Sequence, residues 1–204
     1  MSSNPDDASV HLDTLPESEH LLKAHQHAVF PALPRGDLWV FGYGSLMWRP
    51  DFDYIEKTSA RVYGYHRSLC VLSWVHRGTQ SVPGLVLGLD KGGSCTGKLF
   101  RVSELNKESV AEYLYARELP TLVYSARIVK LHTLDGRCVN ALTFVVDRDN
   151  PQYTKGKSDQ QLAEIVSSAQ GMNGSSSQYL LSTLEHLRAD GIYDSKLEAI
   201  AKKL

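Results

Sequence analysis

The sequence predicts an α+β fold in which helices flank one mixed, curled sheet. Residues 38–146 contain several strand-like segments with one helical stretch among them, and the chain from residue 158 onward has helical patterns. A run of strands followed by helices, instead of a regular alternation of the two, is typical of α+β domains. A chain of 204 residues is long enough to bury a large core, so we expect one domain.

The strand predictions rest on segments rich in β-branched and aromatic residues. These segments are 62–72, 85–89, 97–102, 125–134 and 139–146, in addition to the short run that begins at Leu38. Asp90-Lys91-Gly92-Gly93 and Asp135-Gly136 separate pairs of them. Both sequences are typical of tight turns, so we expect the chain to reverse direction at each.

The helix predictions rest on caps, apolar spacing and stop signals. The stretch after Ser103 or Asn106 keeps helical apolar spacing until Pro120. In the tail, "DQQLAEIVSSAQ" stops near Gly171 and "SQYLLSTLEHLRADG" stops at Gly191. A final short helix is expected within 195–204.

Residues 1–36 are predicted to be an extension, partly disordered with a short helix from Ser18, and 37–204 a single catalytic domain. The extension contains four histidines, which raise the alternative of a metal site: His11, His20, His25 and His27. Carboxylate or cysteine partners at ligand spacing are missing, so a solvated helix face is favoured and we expect no metal.

Composition limits the partners of this protein. Twenty-two basic residues stand against 23 acidic ones, which argues against nucleic acid or an anionic membrane surface and favours a small molecule. Cys70, Cys95 and Cys138 fit neither a disulfide framework nor a zinc motif. With no apolar run long enough to span a bilayer and no signal-peptide pattern, we expect a cytoplasmic protein. No second apolar stripe is left over, so a monomer is expected.

The stretch "WVFGYGSLMW", residues 39–48, is the first candidate site. A buried strand runs into two glycines that flank Tyr43, followed by Ser45. The spacing fits neither a phosphate-binding loop nor the elbow of a serine hydrolase. Two interpretations remain: a tight turn after a central strand, or a loop whose backbone N–H groups face an anionic or polarised oxygen.

Glu118, in "YARELPT", is the second candidate. A glutamate at the end of a helix is unfavourable for the helix dipole and is usually a surface residue. It stands next to Arg117 and among apolar and aromatic residues, however, so partial burial with a raised pKa, as a general base needs, is the alternative. Weaker candidates are His76 or Arg77, either solvated or bound to an anionic group of a ligand, and Tyr179, either core or a hydroxyl contact to a ligand.

Taken in order, the motifs resemble the ChaC family of γ-glutamylcyclotransferases. The resemblance covers about 38–197 and rests on "WVFGYGSLMW.P", "GYHRSLC", "RGT...PGLVLGLD", "ARE", "DGR.VNAL.FV.D" and "QYL". It implies a γ-glutamylcyclotransferase-like fold, a mixed curled sheet or small barrel with flanking helices. It also implies that Glu118 is the catalytic residue. The substrate-binding residues that it implies are those of the loop: Gly42, Tyr43, Gly44, Ser45, Leu46 and Met47. We add Tyr179 to them.

The resemblance further implies a reaction. ChaC-type proteins act on glutathione and release 5-oxoproline and Cys-Gly without a metal or organic cofactor. Other γ-glutamyl amino acids or amines stay open as substrates, and so does a catalytically silent binding protein on the same fold. One departure concerns Ser176, where many family members have asparagine; if this position contacts Cys-Gly, it bears on selectivity.

Overall fold

The computed structural model describes residues 30–204, and the short helix expected from Ser18 lies outside the described residues. The same holds for the four histidines considered as metal ligands: His11, His20, His25 and His27. The domain boundary expected at residue 36 stays a prediction.

Five strands form a closed barrel in the order β1-β3-β2-β4-β5. They are β1 Leu38–Gly42, β2 Glu56–Ser73, β3 Gly84–Val102, β4 Tyr124–Thr133 and β5 Cys138–Val146. Most neighbours are antiparallel, whereas β1 closes the barrel against β5 in parallel at Val40 and Leu142. The mixed, curled sheet predicted from the sequence is therefore confirmed.

One predicted turn is wrong. Residues 85–89 and 97–102 are parts of the single strand β3, which continues through the Gly92-Gly93 pair. Both glycines have positive φ. The pairing register between β2 and β3 shifts here, between Tyr63 and Tyr65 of β2. Glycine tolerates this left-handed backbone, so here it makes a bulge that bends two paired strands without ending them. The other predicted turn, at Asp135-Gly136, does join β4 to β5.

Within residues 30–204, four helices flank the barrel, close to the predicted positions. They are α1 Lys107–Glu118, α2 Asp159–Ser168, α3 Ser176–Ala189 and α4 Ser195–Ala201. Ser158 and Ser175 cap α2 and α3 with capping boxes, in which each serine and the glutamine three residues later satisfy each other's backbone N–H groups. A two-residue hairpin, β6 Gln170–Gly171 with β7 Gly174–Ser175, leads into α3.

The core has two main parts that meet at β1. Phe41 belongs to a cluster with Leu180 and Leu184 of α3, whereas Val40 belongs to a cluster with Leu114 of α1. Strand β1 is therefore buried on both faces, as its continuous apolar sequence indicates. The loop that follows it emerges between α1 and α3, and this is where the candidate site lies.

Candidate active site

The loop after β1 folds back at once on the strand. It enters a 3-10 turn, Ser45–Met47, in which the Met47 N–H donates to the Gly44 carbonyl at 2.9 Å. A Cβ on Gly42 would lie 2.8 Å from the Leu46 Cβ, so this return requires glycine. The N–H groups of Gly44, Ser45 and Leu46 precede the first hydrogen-bonded amide of the turn. They are donors without a partner inside it, suited to a partly negative oxygen.

The side chains of this loop have unequal roles. Leu46 and Met47 are buried in the core, so they anchor the loop and contribute only backbone to the site. The buried guanidinium of Arg67, on β2, donates to the Tyr43 carbonyl. The loop is thus held by its surroundings, and a ligand would meet a largely preformed set of amides.

Glu118 is the last residue of α1, and 19% of its side chain is exposed. Burial raises the pKa of its carboxyl above the usual 4.5, while the ion pair with Arg117, at 3.2 Å, acts in the opposite direction. The raised pKa and the partial burial both agree with the alternative drawn from the sequence. A carboxylate of this kind is a stronger base than a solvated one.

Arg117 joins Glu118 to the loop. Besides its contact with Glu118, its guanidinium donates to the Ser45 hydroxyl at 3.3 Å and to the Arg49 carbonyl at 2.9 Å. Further partners are the Tyr113 hydroxyl and the Asp51 carboxylate. Arg117 therefore fixes the distance between the end of α1 and the loop, a role that the sequence did not reveal.

Three tyrosines complete the site: Tyr43, Tyr124 and Tyr179. Burial raises the pKa of Tyr43 and Tyr124 well above 10 and that of Tyr179 to about 12, and the charge of Glu118 adds to each shift. All three phenols are consequently protonated at neutral pH. The Glu118 carboxylate therefore acts electrostatically on all three phenols.

Strand β3 positions two of these phenols through Leu87. The Tyr124 hydroxyl donates to the Leu87 carbonyl at 2.7 Å, and the Leu87 N–H donates to the Tyr179 hydroxyl at 3.3 Å. The Tyr179 oxygen also lies 4.0 Å from where a Cβ on Gly44 would stand. Tyr179 thus borders the loop, and its role as a hydroxyl contact to a ligand stays a prediction. Tyr124 was missed, because a tyrosine that opens a strand looks like any other strand residue.

Ser176 lies beneath the site and is fully buried. Its hydroxyl accepts from the Leu85 N–H at 2.9 Å and donates to the Leu85 carbonyl at 3.0 Å. An asparagine side chain offers the same pair of one acceptor and one donor. The departure at this position therefore concerns how α3 docks on β3.

We expect Ser176→Ala to lower the free energy of unfolding by about 2 kcal/mol, because it leaves two buried backbone groups of Leu85 unpaired. Urea unfolding followed by circular dichroism measures this change. The control is Ser182→Ala on the exposed face of the same helix, expected within about 0.5 kcal/mol of the wild type. Equal effects of the two substitutions would contradict the docking role of Ser176.

The described residues offer little for metal or redox chemistry. Among residues 30–204, no three His, Cys, Asp or Glu side chains are grouped so that they could hold a metal ion. Cys70, Cys95 and Cys138 are free thiols, and burial raises the pKa of Cys70 to about 12, so it is protonated at neutral pH. No helix in this part of the chain is long and apolar enough to cross a membrane.

The closed barrel with its flanking helices has the fold of the γ-glutamylcyclotransferases. A crystal structure of the glutathione-specific γ-glutamylcyclotransferase from yeast superposes with a TM-score of 0.75, covering 83% of this chain and 96% of that one at 20% identity. This likeness establishes the fold alone. The predicted γ-glutamylcyclotransferase-like fold is confirmed.

The chain belongs to the ChaC-like protein family, whose profile matches residues 38–204. A glutathione-specific γ-glutamylcyclotransferase from Escherichia coli (strain K12) is 36% identical over 162 residues, 79% of this chain and 70% of that protein. The human glutathione-specific γ-glutamylcyclotransferase 1 is 32% identical over 82% of this chain and 80% of its own length. The resemblance drawn from the sequence motifs is therefore confirmed.

Proposed function

We propose that this protein degrades glutathione, cyclising its γ-glutamyl group and releasing 5-oxoproline and Cys-Gly. One observation carries the proposal: Arg117 contacts both the Glu118 carboxylate, whose pKa is raised, and the Ser45 hydroxyl of the loop whose first N–H groups have no partner within the 3-10 turn. A base and a set of oxyanion donors at one place are what an intramolecular acyl transfer requires. The names of the E. coli and human relatives supply the substrate.

The reaction begins with the α-ammonium group of the γ-glutamyl residue. Glu118 takes one proton from it, and the resulting amine attacks its own γ-carbonyl carbon, forming the C–N bond of the lactam. Nucleophile and electrophile belong to one molecule, so the enzyme needs only to hold the folded conformer. The amides of Gly44, Ser45 and Leu46 receive the oxyanion, and each such donor is worth roughly 3 kcal/mol.

The tetrahedral species then collapses. The bond from the γ-carbon to the cysteine nitrogen breaks, and the leaving nitrogen collects the protons lost by the attacking one, with Glu118 as carrier. Protons and electrons balance, because one ammonium and one amide are consumed and one ammonium and one lactam are formed. The protonated phenols of Tyr43, Tyr124 and Tyr179 surround the charge without competing as bases.

The test is mass-spectrometric detection of products from glutathione and, in parallel, from γ-glutamyl-alanine. We expect 5-oxoproline and Cys-Gly from glutathione, with lower turnover of the dipeptide. Preferential turnover of γ-glutamyl-alanine would keep the chemistry and replace the substrate. No product from either would favour a binding protein on this fold.

The proposal extends to cellular location, oligomeric state and domain bounds. We infer a cytoplasmic protein that acts on glutathione as a monomer, with residues 37–204 as its catalytic domain. Size-exclusion chromatography with light scattering measures the oligomeric state.

A further inference from the structure

Arg77 stands at the edge of the site with most of its guanidinium uncommitted. Its central carbon lies 5.3 Å from the centre of the Tyr179 ring, and Nη1 donates to the Asn173 carbonyl. Among residues 30–204 no carboxylate lies within ion-pair distance of it. This differs from Arg117, whose N–H groups are used by protein partners. Arg77 therefore has N–H groups left for an external anion.

The backbone around Arg77 is held in place. A Cβ on Gly171 would lie 2.6 Å from the Arg77 nitrogen, and one on Gly78 would lie 2.1 Å from the Gly84 nitrogen. The Arg77 N–H also donates to the Ser73 hydroxyl at 3.0 Å. The backbone of residues 75–78 thus packs directly against the backbone of the β6-β7 hairpin. The N–H groups of Met172 and Asn173 also donate to the carbonyls of Val75 and His76. The guanidinium is presented by a rigid support, which lowers the entropic cost of binding.

The position of Arg77, on the far side of Tyr179 from the loop, suits one part of the proposed substrate. Tyr179 separates Arg77 from Gly44, where the γ-carbonyl would be bound. Beyond that carbonyl, glutathione continues for two residues, which extend over about 7 Å and end in a carboxylate. A guanidinium fork matches a carboxylate with two parallel hydrogen bonds.

We propose that Arg77 binds the C-terminal carboxylate of the substrate and thereby favours a γ-glutamyl dipeptide extension, such as Cys-Gly, over shorter or uncharged groups. This inference rests on the proposed function and specifies the part of the substrate that the site selects. The overall charge of −1 does not attract anions, so a local cation is needed for this task.

The experiment compares glutathione with its C-terminal amide, γ-glutamyl-cysteinyl-glycinamide, in the wild type, Arg77→Gln and Arg77→Lys. We expect the wild type to favour glutathione by about 30-fold in kcat/KM, a size typical of a charge-assisted hydrogen-bonded pair. Arg77→Gln should lose this preference, because its kcat/KM falls far more for glutathione than for the amide. Arg77→Lys should keep part of it. Arg127→Gln, an exposed arginine on β4, is the matched control and should retain the full preference.

Several outcomes overturn the inference. One is an equal kcat/KM of the wild type for glutathione and for its C-terminal amide. This outcome does not depend on whether any variant folds. Another is an equal loss on both substrates in Arg77→Gln, which would assign Arg77 to the glutamyl part or to structure.

Failure of the proposed function is recognised separately. Calorimetry with Glu118→Gln, with and without Arg77→Gln, compares binding of the two ligands without turnover. Tighter binding of the acid that depends on Arg77 supports the inference even when the wild type releases no 5-oxoproline. Equal or absent binding overturns it.

Discussion

Glu118→Gln is expected to lower kcat for 5-oxoproline release from glutathione by about 10³-fold, the typical contribution of a well-placed acid–base group. Glutamine keeps the size of the side chain and an oxygen that can accept from the Arg117 Nε, which lies 3.2 Å from the carboxylate. It removes only the capacity to take up a proton. We therefore expect KM to change little, and steady-state kinetics with product detection separates the two constants.

Unfolding cannot account for this loss. Because burial raises the Glu118 pKa in the folded state, ionisation of this carboxyl costs stability as pH rises from the unfolded towards the folded pKa. Above both values the variant, which carries no charge here, should be at least as stable as the wild type. A thermal unfolding curve at neutral pH is the check.

The wild-type pH profile gives a second check on the same residue. A base must be ionised, so kcat should fall as pH decreases through the Glu118 pKa, on a limb that lies above the usual 4.5. That limb should disappear in Glu118→Gln. A variant that keeps more than about a tenth of the wild-type kcat, or an unchanged acid limb, would remove Glu118 from the role of base.

The sequence was sufficient where the signals are local. Glycines around Tyr43, a helix that stops at Pro120 and the serine caps of the tail helices all depend on neighbours within a few residues. The loop and the end of α1 could be identified this way. Local signals could not show that the loop and the end of α1 lie close together, because closure of the barrel brings them together.

The failures have the same physical origin. Gly92-Gly93 looks like a hairpin turn, and only the pairing of β2 with β3 on both sides shows that it is a bulge. Tyr124 enters the site because its hydroxyl reaches the Leu87 carbonyl of β3, a strand that is distant in sequence. Arg117 adjoins Glu118 in the sequence, but its contact with Ser45 spans 72 positions.

Gly97→Ala tests how strongly the barrel fixes the loop. A Cβ on Gly97 would lie 2.3 Å from the Gly42 carbonyl oxygen and 2.9 Å from the Phe41 ring. Neither neighbour can move easily, because one is backbone at the end of β1 and the other is a fully buried ring. We expect the free energy of unfolding to fall by about 3 kcal/mol.

The same substitution should reach catalysis. Gly42 is where the loop of free amides begins, so a displaced carbonyl there shifts the donors intended for the oxyanion. A shift near 1 Å is enough for about a 100-fold decrease in kcat. Urea unfolding and 5-oxoproline release measure the two effects on one preparation.

Gly136→Ala is the matched control for Gly97→Ala. It replaces a glycine with φ of +86° and no atom within 4 Å of the added Cβ, so it introduces backbone strain without a collision. We expect it to cost about 1 kcal/mol of stability and to leave kcat unchanged. If Gly97→Ala behaved in the same way, the contact between β3 and the end of β1 would not be what positions the loop. If stability and kcat both fell as expected, closure of the barrel at β1 would be part of how the site is built.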